Sequence, residues 1–393
     1  MIIHKPEITE NQESLVLSAR VEIESKKNYP DYLWYKIPKK FQYYITNSSN
    51  PFAASLSLLS SRLHENLTIQ GTLSPRLAWG MQDYIQTFRY WYPGLFSEIE
   101  IKSEIQIESN CFMNEQVAAS FSGGVDSFYT LLRHQPQTTN ILPISYAFFI
   151  HGFDIPLNEL ENYKSIKNSY EKHLLKLGIE LIPISTNVRD FLPSMKWEEI
   201  FGGPLSGAIF CFKNLFHYYL IPSAFDNHLL MKQGTDPRLV PLLATEFTSI
   251  QLDAGNISRA EKTAFIANNP MTYSNLRVCW EKIDGLNNCG RCEKCVRTMT
   301  ELELTEKLHY YKNFNDSWNL GKIRQLHLDS SFKIASWDQI KFRAKEIHRN
   351  DIIRAINIAI FFSKFYNGQK YISRLSCLMK QTLRKLINYI RYA

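Results

Sequence analysis

The residues Ser122-Gly123-Gly124-Val125-Asp126-Ser127 bring together two adjacent glycines, two hydroxyls and one carboxylate. Glycines allow a tight turn and a close approach of the main chain to a ligand. Successive backbone N–H groups at the start of a helix, here from Gly123, Gly124 and Val125 onward, make an anion cradle. Ser122 and Ser127 can add hydroxyl donors, and Asp126 can hold Mg²⁺ or cap the helix. The pattern is neither a Walker A loop nor the Gly-x-Gly-x-x-Gly dinucleotide fingerprint. The bland alternative is a glycine-rich turn that binds nothing.

A second group of chemistry-bearing residues is Cys279, Cys289, Cys292 and Cys295, four of the seven cysteines of the chain. Four thiolates at this spacing make a closed tetrahedral site for structural Zn²⁺. A cluster of iron and sulfur with four cysteine ligands is the rival reading, and free thiols are the third. Gly290 relieves crowding in the knuckle, and Arg291 and Lys294 offset part of the thiolate charge. Because a four-cysteine site has no open position, its metal should shape the fold rather than perform the reaction. An odd cysteine count also argues against a disulfide framework.

These residues need elements to carry them. Val117–Phe121 is a short apolar strand, and Phe128, Leu131 and Leu132 lie on one face of the helix that follows the loop. Further strands are expected at 141–150, 179–184 and 218–221, with helices at 157–177, ending at Gly178, and at 204–216. Strands alternating with helices predict a parallel sheet covered on both faces, a doubly wound α/β domain. Ahead of it, residues 1–114 read as an α+β region, with strands at 15–24 and 99–107 and helices at 52–63 and 77–92. Behind it the chain turns helical, at 351–365 and 371–392. The predicted domains are 1–114, 115–312 and 313–393.

The loop resembles the SGGxDS signature of the PP-loop ATP pyrophosphatases. Together with the four cysteines it resembles the 7-cyano-7-deazaguanine synthase family and that family's relatives in natural-product clusters and antiphage defence. The likeness covers residues 115–305. It implies a five-stranded parallel sheet of the adenine nucleotide alpha-hydrolase type, with ATP, Mg²⁺ and Zn²⁺ as cofactors. It further implies a carboxylate adenylated with release of pyrophosphate and then passed to an amine or ammonia. Leu252–Ile266 looks like the family stretch whose helix carries a Lys/Glu pair, here Lys262 and Glu261. Gly234–Arg238 is faintly like the loop that reads the base. Phe201–Gly207 stands where the family has a Pro-Ala-Arg-Asn run, and residues 1–114 have no counterpart, so the expected substrate is the chain's own.

Ligands of open α/β sheets bind beyond the carboxyl ends of the strands. His151 and Asp154, after the second strand, are therefore candidates for nucleotide or metal contact, with a capped turn as the alternative. Arg189, after the third strand, can hold a phosphate or a carboxylate, or make a surface ion pair. Asp236 and Arg238 are expected on the rim of the same site. Glu261 and Lys262 read as a solvated helix pair.

Composition sets the outer limits. The chain has 393 residues, 45% of them hydrophobic and 21% charged, which excludes wholesale disorder. No apolar run approaches the ~20 residues needed to span a bilayer, and the first residues lack a secretory pattern. The cytoplasm is the expected location. The net charge of +7 resides in Lys364, Lys370, Arg374, Lys380, Arg384, Lys385 and Arg391, and the rest of the chain balances. That tail has an apolar stripe from Ile372 to Ile390, read as packing on its own protein or on a protein partner, with a membrane surface or nucleic acid as alternatives. The sequence leaves the oligomeric state open, a homo-oligomer included. Two other functions compete with the ligase: a PP-loop tRNA-modifying enzyme, and a nucleotide-binding protein without turnover.

Overall fold

The computed structural model of the chain describes residues 1–25, 28–108, 114–136, 142–224, 232–279, 281 and 284–364. In chain order the first elements are β1 (Ile2–Ile3), β2 (Glu7–Glu10), β3 (Ser14–Glu22), β4 (Tyr32–Pro38), α1 (Asn50–Leu63), β5 (Leu67–Leu73), α2 (Pro75–Trp91) and β6 (Ile101–Ile105). Next come β7 (Val117–Ser120), α3 (Val125–Arg133), β8 (Ile144–His151), α4 (Leu160–Leu175), β9 (Glu180–Thr186), α5 (Trp197–Ile200), α6 (Gly202–Phe210), β10 (Tyr218–Pro222) and β11 (Ser249–Asp253). The last are α7 (Arg259–Ile266), α8 (Thr272–Asn275), α9 (Glu293–Glu303), α10 (Leu320–Arg324), α11 (Ser331–Glu346) and a further helix across 350–364.

The strands form one mixed sheet of eleven, in the order β11-β10-β7-β8-β9-β4-β3-β1-β5-β6, with β2 beside β3. The expected five-stranded parallel sheet is corrected here. The strands β11, β10, β7, β8 and β9 do pair in parallel, but β9 is not the border of the sheet. Next to it β4 runs antiparallel, with Tyr35 opposite Thr186 and Lys36 opposite Ser185. Asn187 locks this joint, since its Oδ1 accepts from Trp34 N at 3.0 Å and its Nδ2 donates to Tyr32 O at 2.9 Å. The period-two pattern explains why β4 fits: Leu33, Tyr35 and Ile37 alternate into the core.

Two compact units divide the described chain. The first is Met1–Lys262 with Asn275–Arg277 and Asp284–Leu286; the second is Thr263–Ser274, Val278–Ile283 and Asn287–Ala393. Within the first, α1 and α6 pack through small residues. A Cβ on Gly203 would lie 2.7 Å from Ala54 O, and one on Gly207 would lie 1.9 Å from Ser55 Oγ. Gly203 and Gly207 are thus a device for close helix contact, whereas a Cβ on Gly202 would lie 2.0 Å from Gly234 O. Helix α6 stops at Phe210, short of the expected 216, because Phe212 turns away to bridge Ile45.

The second unit gathers α9, α10, α11 and the helix at 350–364 around Val296, Met299, Ile323, Trp337, Ile340, Ile352 and Ile356. The expected basic helix at 371–392, and with it the docking reading of the tail, lies outside the described residues. Among the described residues no helix is long and apolar enough to cross a membrane.

Candidate functional site

The chain leaves β7 toward β8 and β9 on one side and returns to β10 and β11 on the other. Strand order therefore reverses at β7, and the crevice at such a reversal, beyond the carboxyl ends of the strands, is where open α/β sheets take ligands. The Ser122–Ser127 loop lies there, between β7 and α3. Gly123 has φ +77, and a Cβ on it would fall 1.7 Å from the Tyr170 hydroxyl, so only glycine fits. Its carbonyl accepts from Arg277 N at 2.8 Å. Ser127 Oγ donates to Gly124 O at 3.0 Å and accepts from Ser122 N at 3.4 Å. Ser122 Oγ accepts from Gly124 N at 3.4 Å. The two hydroxyls thus shape the loop. Gly124, at the N-cap of α3, supplies no side chain to satisfy the first-turn N–H groups.

Asp126 stands in the first turn of α3. Its Oδ2 accepts from Arg259 Nη1 at 3.0 Å, and Lys262 Nζ lies 3.9 Å from Oδ1. Oδ1 is buried and has no hydrogen-bond partner, an open acceptor in the cradle. Both cations come from α7, where a spacing of three puts them on one face. The expected solvated pair is corrected at Lys262, which is 1% exposed and donates to Ser223 O at 2.6 Å. Glu261 instead closes a capping box: Ser258 N and Oγ donate to its Oε2 at 2.9 and 2.6 Å. Sequence reasoning missed Arg259. The available signal was the Ser-x-x-Glu box, which fixes the helix start and so the face that Arg259 and Lys262 share.

In the second unit, Cys279, Cys289, Cys292 and Cys295 hold their sulfurs within 4.8 Å of one another. Cys289 Sγ and Cys295 Sγ are 3.8 Å apart, the spacing of two corners of a tetrahedron with metal–sulfur bonds of about 2.3 Å. This set can hold a metal ion such as Zn²⁺. Backbone N–H groups of Arg291 and Cys292 donate to Cys289 Sγ at 3.3 and 3.2 Å, as a thiolate in a knuckle needs. Asn288 Oδ1 accepts from Val278 N at 2.7 Å and Cys279 N at 3.1 Å, tying the distant Cys279 to the other three. Gly290 has φ +70 and abuts Asp316, so the turn requires glycine. The Cys295 thiol is pushed up by its contact with Cys292 and by burial, which a cation would relieve.

No family model matches the chain, and comparison with curated proteins and with solved structures finds no match.

The remaining candidates are engaged in loop structure. His151 is buried, with Nε2 2.9 Å from Pro156 O and its ring stacked on Tyr163. Burial pulls its imidazolium down. Asp154 is exposed in the following turn. Arg189, at the carboxyl end of β9, donates from Nη1 to Phe153 O at 2.9 Å and lies over Trp197. This links the loops after β8 and β9. Asp236 is fully buried and accepts three bonds from Arg238, from N at 2.9 Å, Nε at 2.8 Å and Nη2 at 2.7 Å. Arg238 is exposed and lies over Trp91. Asp236 is therefore spent on orienting Arg238. The structure brings Ser122, Gly123, Gly124, Val125, Asp126 and Ser127 together with Arg259 and Lys262. It joins Arg189 to the His151–Asp154 turn, and it pairs Asp236 with Arg238.

Proposed function

We propose that the chain is an ATP-dependent carbon–nitrogen ligase of the PP-loop type. It adenylates a carboxylate with release of pyrophosphate, and an amine or ammonia then takes the acyl group as AMP leaves. The observation that carries this reading is the Ser122–Ser127 loop at the strand reversal, with Asp126 faced by Arg259 and Lys262. Backbone N–H groups of the loop and of the first turn of α3 would hold the β,γ-phosphates, and the two α7 cations would neutralise charge on the departing pyrophosphate. Asp126 Oδ1, the open acceptor, is the group suited to Mg²⁺. On this reading β11-β10-β7-β8-β9 is the adenine nucleotide alpha-hydrolase-like core within the larger sheet. Arg189 and Arg238 belong to the side that receives the carboxylate. Zn²⁺ at the four cysteines is structural.

The test is pyrophosphate release from ATP with Mg²⁺ across a panel of carboxylates, with and without ammonia. The parent protein is expected to release pyrophosphate with at least one of them. Asp126→Ala is expected to lower the rate by about 10²–10³-fold, as removal of a preorganised electrostatic group does. An unchanged rate in that variant overturns the assignment of the loop. Nucleotide binding with no release across the panel favours the non-catalytic alternative.

A further inference from the structure

Asp253 closes β11 and is buried. Two side chains of α3 and its C-cap residue reach it: Thr130 Oγ1 donates to its Oδ2 at 2.7 Å, Arg133 Nη1 lies 3.7 Å from Oδ1, and the C-cap His134 has Nε2 3.1 Å from Oδ1. The other ring nitrogen of His134 faces Leu142 O at 3.2 Å, so the ring is fixed at both ends. Thr130 and Arg133 lie in the last turn of α3, which ends at Arg133, and His134 is its C-cap. The next residues after β11 then lead into α7, whose Arg259 and Lys262 reach Asp126 in the first turn of the same helix. One stretch of chain, 253–262, therefore grips α3 at both of its ends.

The phosphate loop is held from outside by one backbone bond, Arg277 N to Gly123 O at 2.8 Å, and by Arg259 on Asp126. Of its three internal side-chain bonds, one is 3.0 Å and two are long at 3.4 Å, and its N-cap is a glycine. A helix held only at its first turn could swing about that point and carry the loop N–H groups out of register. Buried charge-assisted bonds resist such motion because breaking one leaves an uncompensated charge in a poorly solvating place.

We propose that Asp253 is a positioning residue for the phosphate loop: by holding Thr130, Arg133 and His134 it sets the axis of α3 and thereby the direction of the cradle N–H groups. The site for triphosphate is thus fixed from β11 rather than from the loop itself. This inference rests on the nucleotide reading above, and it also makes a claim about α3 that stands apart from it.

The experiment compares the parent with Asp253→Asn, which keeps shape and removes charge, and with Ile250→Val. Ile250 is buried in the same strand and, three positions from Asp253, lies on the opposite face of it, so its truncation is a mild core loss away from the Asp253 face. Two quantities are measured: dissociation constants for Mg·ATP and for AMP, and hydrogen-exchange protection of amides 123–128. Asp253→Asn is expected to weaken Mg·ATP about tenfold, to leave AMP within about twofold, and to lower protection at 123–128 about tenfold. Ile250→Val is expected to change neither. Equal losses for ATP and AMP, or equal loss of protection in Ile250→Val, would mean that Asp253 is merely structural and overturn the proposal. If the parent binds no ATP, the functional reading fails, and unchanged protection in Asp253→Asn would separately remove the positioning role.

Discussion

Asp126 and Asp253 show how differently two carboxylates of one helix neighbourhood are treated. Asp126 keeps one oxygen open beside two cations, the arrangement of a group awaiting a ligand. Asp253 has both oxygens taken. Burial raises its pKa, but hydrogen bonds from His134 and Thr130 and the nearby charges outweigh that and hold it below the ordinary carboxylate value. A depressed native pKa stabilises the fold above the unfolded value, about 3.9, and that contribution is lost as pH falls through the native one. The urea midpoint should therefore drop below about pH 4, and the drop should be smaller in Asp253→Asn; equal slopes would remove Asp253 from the acid response. The loop residues were legible because glycine, serine and aspartate act through local backbone geometry. Lys262 was not, because its burial depends on Ser223, 39 positions away in sequence.

At the scale of elements, the contact of α1 with α6 is the least tolerant. Gly207 sees Ser55 Oγ, Pro51 O and the Tyr35 hydroxyl where a Cβ would stand, two of them fixed to elements that cannot retreat independently. Gly207→Ala should cost about 1–3 kcal/mol, read as a lower urea midpoint with unchanged slope. Sequence periodicity located α1, α2, β7, β8, β9 and β10 because each has a clear apolar repeat. It passed over β5, which contains Gly71 at φ +105 and a register shift between Ile69 and Thr72, and β11, which is five residues set among loops. Gly202 to Gly207 was visible as unusual, but only the fold shows what the glycines admit: helix α1 at Gly203 and Gly207, and the Gly234 backbone at Gly202.

For the whole molecule, the two compact units carry different stabilising chemistry: the first a large sheet, the second a small helical core beside four cysteines. Small metal modules draw on the order of 10 kcal/mol of folding free energy from their ion. Chelation, or Cys289→Ser, should therefore lower a calorimetric transition of residues 287–364 and leave that of the sheet in place. Metal analysis should find Zn²⁺ lost in the variant, and unchanged content would overturn the knuckle. The antiparallel joint between β4 and β9 has a consequence for the chain's modularity. A shortened protein starting at residue 115 would keep the phosphate loop yet leave the β9 backbone donors and acceptors bare along the joint. Bare strand borders recruit strands from other molecules, so such a fragment would aggregate rather than dissolve. If light scattering shows that fragment aggregating while the full chain stays dispersed, the first 114 residues act as a solubility shield for the half that carries the loop; a dispersed fragment would remove that role.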